Sequence, residues 1–272
     1  MMLREQSTKL HMSSNIGFIQ TRGIGDIIIG LPIATYFTDR GNRVFWPVDS
    51  RYCGFFRKAA PWIDFMEVSY ERFGQNAAAF FYREPHRILT THGCDEIFSL
   101  YSQLDLPGID AVDAGLAASL TFDQYKYART RVPFLEKWNL RIERDPVREV
   151  ALFEALRLDS EYICVHRRAH HNRFEFALPD DWSARYRIVE IDERTESPFD
   201  WLYIIEGATK LLLVDSCFSN LVEQLGIPVE KYFLMRSPAE FTPVLRNPWT
   251  FMSVRSSAPA GPVTEPWAWV IR

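Results

Sequence analysis

From residue 15 onward, short apolar runs alternate with longer stretches whose apolar residues recur at helical spacing. Residues 16–20 read as a strand, followed by a glycine-containing turn at 21–25. Residues 27–37 read as a helix despite Gly30 and Pro32. A turn at Gly41 and Asn42 leads to a strand at 43–46, a helix at 52–60 stopped by Pro61, and a strand at 63–68. Such a βαβαβ opening predicts a parallel sheet covered by helices on both faces.

The middle of the chain is less regular. Residues 73–82 and 101–104 read as helices with a strand at 87–90 between them, and 116–131 and 134–140 also favour helix. Pro146 opens a helix to 156, since proline is tolerated in a first turn. A second α/β series follows, with strands at 162–166, 187–191, 211–214 and 232–235 and helices at 202–208 and 220–226. The expected organisation is a disordered leader at 1–14, a Rossmann-like N-terminal domain at 15–157 and a Rossmann-like C-terminal domain at 158–255. An irregular tail at 256–272 completes it, with an apolar stretch at 267–271 that packs back on the body. Two such halves face a cleft, the usual ligand site at the carboxyl ends of strands.

Composition narrows the class. With 47% hydrophobic and 24% charged residues the chain is an ordinary globular protein, which excludes disordered, coiled-coil and collagen-like chains. No apolar run approaches the roughly 18 residues of a membrane span. The formal charge of -4 argues against a nucleic-acid coat but leaves room for a local basic groove. Cys53, Cys94, Cys164 and Cys217 show no C-x-x-C spacing, which suits free thiols rather than a zinc knuckle or redox pair. The polar start lacks an apolar signal core, so a cytoplasmic monomer or small homo-oligomer is expected.

Three segments carry candidate chemistry. The first is Arg22-Gly23-Ile24-Gly25-Asp26, where two glycines allow a sharp turn and Asp26 falls at a helix N-terminus. Asp26 there either caps the helix and complements its dipole or acts as a carboxylate base at the lip of a cleft. A dinucleotide fingerprint is disfavoured. Its third small residue would fall at Ile28, and an acid in the phosphate loop repels a pyrophosphate, although Asp49 does follow the second strand.

The second segment is Asp215-Ser216-Cys217-Phe218-Ser219-Asn220, between a buried strand and a helix. Its small polar residues cap that helix or, with the free N–H groups there, receive a phosphate. The Gly-x-Ser-x-Gly frame of a nucleophile elbow is missing. The third segment is His166-Arg167-Arg168-Ala169-His170-His171-Asn172-Arg173, the densest positive run, read as a solvated loop or an anion site. Its histidines lack metal-site spacing.

The first segment with Leu31-Pro32, and the second leading to Leu225-Gly226-Ile227-Pro228, resemble the two signatures of glycosyltransferase family 9, the heptosyltransferase-like enzymes. Cys217 stands where the family usually has Gly, Asn220 where it has His, and an Arg- and His-rich loop where it has a Gly-containing loop with Lys. The resemblance implies a GT-B arrangement with an N-terminal acceptor domain and a C-terminal nucleotide-sugar domain, needing neither metal nor cofactor beyond the donor as co-substrate. It implies that Asp26 is the general base, beside an acceptor-side loop of Arg22, Gly23 and Gly25. Arg167, Arg168 and Arg173, with the turn at Ser216, Cys217, Phe218, Ser219 and Asn220, would hold the diphosphate, and Asp215 the donor sugar. Glu190 and Asp192 are weaker ribose candidates. The acceptor is a carbohydrate or, in a phage-type variant, a hydroxymethylated base in DNA reached along Arg22, Arg51, Arg57, Lys58 and 167–173. A degenerate binding protein of the same fold is the non-enzymatic alternative.

Overall fold

The computed structural model describes residues 13–169, 172–236 and 242–253. The leader before residue 13, His170, His171 and the tail beyond 253 lie outside the described residues, and with them the expectations placed there.

The first sheet is built from β1 (Asn15–Ile19), β2 (Arg43–Asp49), β3 (Asp64–Val68) and β4 (Glu96–Ser99) in the order β3-β2-β1-β4, all parallel. Between them run α1 (Ile24–Thr38), α2 (Ser50–Ala59), α3 (Tyr70–Phe73), a π-helical turn (Ala79–Arg83) and α4 (Glu84–Thr91). The strand expected at 87–90 is therefore helical. Pro85 sits in the first turn of α4 and Glu84 pairs with Arg87 one turn on, so local helix signals override a β-branched run. The fourth strand is instead β4, whose short Glu-Ile-Phe-Ser sequence suits a sheet edge. Residues 101–104 form no helix.

The connecting region holds α5 (Ala114–Ser119), α6 (Phe122–Thr130), a 3-10 turn (Phe134–Trp138) and α7 (Pro146–Leu156). The single helix expected over 116–131 is two, because Thr121 and Gln124 form a capping box that restarts the chain at α6. Although α7 precedes the second series, it packs on that side, against α9 (Leu202–Gly207) and the 3-10 turn Pro198–Trp201.

The second sheet contains β5 (Tyr162–His166), β8 (Arg187–Glu190), β9 (Lys210–Val214), β10 (Glu230–Met235) and β11 (Thr250–Ser253), in the order β11-β10-β9-β5-β8 and again all parallel. The strand β11 was not legible beforehand. A small hairpin, β6 (Arg168–Ala169) with β7 (Asn172–Arg173), stands apart, and α8 (Asp180–Arg185) and α10 (Cys217–Gln224) complete the fold. Central strands such as Tyr162–His166 are buried along their whole length, which is why they read as unbroken apolar runs.

The two sheets share a core. Helix α1 is buried from Ile27 to Thr35 because the first sheet covers one side and α10 the other. Ile27, Ile28, Leu31 and Ile33 of α1 lie in one continuous apolar cluster with Leu221 and Val222 of α10. Each such buried aliphatic side chain contributes about 1.5–3 kcal/mol, so the α1–α10 seam joins the halves firmly.

Candidate functional site

The loop from β1 to α1 is fixed by side chains of its own half. The Tyr101 hydroxyl accepts from the Thr21 amide at 2.9 Å and the Arg22 amide at 3.3 Å. The Trp46 indole donates to the Gln20 carbonyl at 3.2 Å, and the Gln20 amide donates to the Arg22 carbonyl at 2.7 Å. Gly23 is the residue before the helix and sits at φ 86°, a left-handed conformation that favours glycine. A side chain there would also collide with its neighbour, since a Cβ on Gly23 would lie 2.6 Å from Asp26 Oδ2.

Asp26 is in the first turn of α1 but is not its cap; that position belongs to Gly23. Its carboxylate, about one-third exposed at 32%, has Oδ1 2.9 Å from Nζ of Lys126, which is only 1% exposed. Lys126 also donates to Gln20 Oε1 and to the Leu100 carbonyl, each at 2.9 Å. The lysine that holds Asp26 went unnoticed in the sequence.

The second loop leaves β9 at Asp215 and enters α10. Asp215 is buried, and burial pushes its carboxyl up to about 6; Arg236 opposes the rise and Asp26 adds to it. Arg236 Nε donates to the Asp215 carbonyl at 2.8 Å and lies 3.6 Å from Oδ2. Ser216 is extended, and its amide donates to Ser219 Oγ at 2.9 Å, while Ser219 Oγ donates to the Ser216 carbonyl at 2.8 Å. The small polar residues do cap the helix, as one reading of the sequence had it. The Ser216 hydroxyl lies 3.0 Å from His166 Nδ1, at the end of the neighbouring strand β5. Burial, with Arg168 nearby, pushes His166 down to about 3, so its ring is neutral at ordinary pH. Phe218 meets the His166 ring edge-on, and burial pushes the Cys217 thiol up to about 12.

The two loops touch. A Cβ on Gly25 would stand 3.2 Å from Asn220 Nδ2 and 3.4 Å from the backbone of Cys217, so α1 and α10 approach closely there. Residues far apart in sequence thus bring a lysine-held carboxylate and the N-terminus of α10 to one seam.

The arginines of the third segment do not form an open cluster. Arg167 donates to the Phe176 carbonyl at 2.9 Å and lies over the Phe176 ring. Arg168 pairs with Glu193 at 3.3 Å, and Arg173 with Glu190 at 2.6 Å and Glu175 at 2.9 Å. Asp192 pairs with Arg194. These pairs are exposed, and surface pairs are worth only about 0–1 kcal/mol, so an arriving phosphate can compete for the guanidinium groups. Among the described residues no group of three or more His, Cys, Asp or Glu is arranged to hold a metal, and no helix is long and apolar enough to cross a membrane.

A strap at 242–249 links the two halves. Val244 donates to Asp123 Oδ2 at 2.9 Å, and its carbonyl accepts from Lys137, which itself pairs with Asp123 at 2.6 Å. The buried Glu223 of α10 accepts from Trp138, Trp249 and the amides of Arg246 and Asn247. Burial alone would raise its carboxyl, but those donors hold it below the usual carboxylate range.

No protein-family model matches the chain, and no curated protein matches it in sequence. Its fold is nevertheless similar to solved structures. A glycosyl transferase of family 9 from Veillonella parvula superposes with a TM-score of 0.60 at 11% identity, covering 92% of this chain and 90% of the other. The ADP-heptose LPS heptosyltransferase II of E. coli gives a TM-score of 0.53 at 11% identity, covering 90% and 91%. The chain shares the GT-B fold of heptosyltransferase-like family 9 glycosyltransferases at low sequence identity.

Proposed function

We propose that this chain is a glycosyltransferase that moves a sugar from a nucleotide-sugar donor to an acceptor hydroxyl, with Asp26 as general base. The observation that carries the reading is the contact of the Asp26 loop with the N-terminus of α10 across two parallel sheets. A base and an anion-binding helix end on opposite sides of one seam suit a displacement in which an alcohol loses a proton as a diphosphate departs.

In this reading the acceptor oxygen attacks the anomeric carbon and its proton passes to Asp26. The bond from that carbon to the diphosphate oxygen breaks, and the electron pair leaves with the diphosphate. Amides at Cys217 and Phe218, which lie against the Cys217 thiol in the free chain, would turn to the developing charge. Arg167, Arg168 and Arg173 assist by exchanging their present partners for phosphate. Charge stabilisation then rests on amides and guanidinium groups rather than on a metal, and the acceptor is a saccharide. The formal charge of -4 disfavours a DNA acceptor.

The test is a panel of ADP-, UDP-, GDP- and dTDP-sugars. A matching donor raises the melting temperature and releases its nucleoside diphosphate in the presence of an acceptor. Asp26→Asn is expected to lower turnover about 10²–10⁴-fold while keeping the donor-induced melting shift. An Asp26→Asn chain that turns over normally makes Asp26 a structural residue only, and no shift with any donor sinks the transferase reading.

A further inference from the structure

Lys126 has no counterpart among the residues assigned above, yet it is a buried cation beside the proposed base. It rises from α6 to the carboxyl edge of the first sheet, where Gln20 follows β1 and Leu100 follows β4. Three oxygens lie 2.9 Å from its ammonium: it donates to Gln20 Oε1 and the Leu100 carbonyl, and it forms an ion pair with Asp26 Oδ1. Two of its three N–H groups are thus spent on the scaffold. Gln20 is itself held by its bond to the Arg22 carbonyl, and the Leu100 carbonyl belongs to the sheet edge, so the ammonium cannot swing. Of the three partners only Asp26 carries charge and only Asp26 is part exposed.

Two consequences meet at the carboxylate. Oδ1 is committed to a rigid, buried cation, which fixes the plane and rotamer of a side chain in the first turn of α1. Oδ2 lies on the side of Gly23, in space that a Cβ would occupy at 2.6 Å. The glycine keeps room around one oxygen while the lysine immobilises the other.

We propose that Lys126 is a positioning residue of the transfer reaction: its buried ammonium fixes Asp26 Oδ1 so that Oδ2 receives the proton of the acceptor hydroxyl. The inference rests on Asp26 being the base. Lys126 touches no substrate and acts through Asp26 alone. A base held within a narrow range of orientations keeps the hydroxyl in line for attack, and small misplacements of such groups are costly to rate.

The experiment uses the full chain, with nucleoside diphosphate release as the readout and water or a supplied saccharide as acceptor. Lys126→Gln is expected to lower kcat about tenfold or more while the donor KM changes by less than about twofold, the pattern of an interaction that matters only in the transition state. Lys126→Arg, which keeps the charge, should recover part of the loss. In an Asp26→Asn background, Lys126→Gln should cause no further fall. Should Lys126→Gln fail to fold, Gly23→Ala supplies a second route, since its methyl group crowds Oδ2 without touching the core; the same fall in kcat at constant KM is expected.

A Lys126→Gln chain with normal kcat beside an inactive Asp26→Asn chain overturns the inference alone. So does a fall that is equally large in the Asp26→Asn background, or a Gly23→Ala chain with normal kcat. A wild-type chain inert towards every donor, or a fully active Asp26→Asn chain, removes the transferase or base reading and the inference with it.

Discussion

Helix α6 carries two lysine–aspartate pairs of the same chemistry in different settings. Asp123 pairs with Lys137 at 2.6 Å, and both side chains are wholly buried. Three residues along, Lys126 pairs with Asp26 at 2.9 Å, and there the carboxylate side stays open. The sealed pair spends its remaining bonds on the backbone of Val244, tying the strap to the body. The open pair spends its lysine bonds on Gln20 and Leu100 and leaves its carboxylate at the seam. The difference separates a group that holds the fold from one that can exchange a proton: exposure of one partner, with the other locked.

Splitting the two pairs should give the largest effects, and only one split should reach turnover. Lys137→Met leaves Asp123 buried without its counter-charge, which costs about 3–5 kcal/mol of stability. Urea unfolding should report that loss, while the folded fraction keeps its turnover per active chain. Asp26→Asn also deprives a buried ammonium of its charged partner, so it should lower the unfolding midpoint, though less than Lys137→Met because Asp26 is part exposed, and it should also abolish turnover per folded chain. If both variants lose stability equally, the contrast between the pairs is wrong and Asp26 belongs to the scaffold.

This contrast also explains what the sequence could and could not disclose. The parallel strands were legible because burial on both faces makes them unbroken apolar runs, as at Leu211, Leu212, Leu213 and Val214. The Gly-Asp turn and the Asp215–Asn220 turn were legible because backbone geometry restricts their residues locally. Helix α6 was not. Its buried stripe of Asp123, Lys126, Tyr127 and Thr130 has helical spacing, yet three of the four are polar, so an apolar-face argument points the wrong way. Lys126 meets Gln20 across 106 positions, a distance no local pattern reports. The partners of the arginines at 167–173 were hidden for a related reason: Glu190 and Glu193 arrive from another strand and loop.

Asp215 is a third carboxylate at the seam, with no lysine, and it sharpens the comparison through pH. Its carboxyl is pushed up to about 6 by burial, against an ordinary 3.8. Between those values the folded chain holds a proton that the unfolded chain has released, so stability falls as pH rises through that window and the loss is complete above it. Asp215→Asn should therefore be more stable than wild type at pH 7, by about 1–3 kcal/mol, with the difference vanishing near pH 4. His166 acts with the opposite sign. Its folded value of about 3 lies below the ordinary 6.5, so its contribution is full above 6.5 and is lost as pH falls towards 3. His166→Gln should flatten the acid limb of the urea midpoint against pH, and an unchanged limb would show that another group governs it.

The smallest effect tests whether the exposed pairs of the β6–β7 hairpin belong with the sealed pair or the open one. Arg168 and Glu193 are both solvent-exposed, so Arg168→Ala should change stability by no more than about 1 kcal/mol. If the hairpin exchanges Glu193 for a phosphate, the same substitution should weaken nucleoside diphosphate binding several-fold in calorimetry, and more strongly at low salt. Glu193→Ala should tighten binding by releasing the guanidinium. Binding unchanged in both variants would confine the diphosphate to the N-terminus of α10 and make the hairpin a surface ornament of the second sheet. In that case the charge that matters is the helix end and its Ser216–Ser219 cap, and Ser219→Ala, which frees the Ser216 amide of its partner, becomes the variant that loosens the donor.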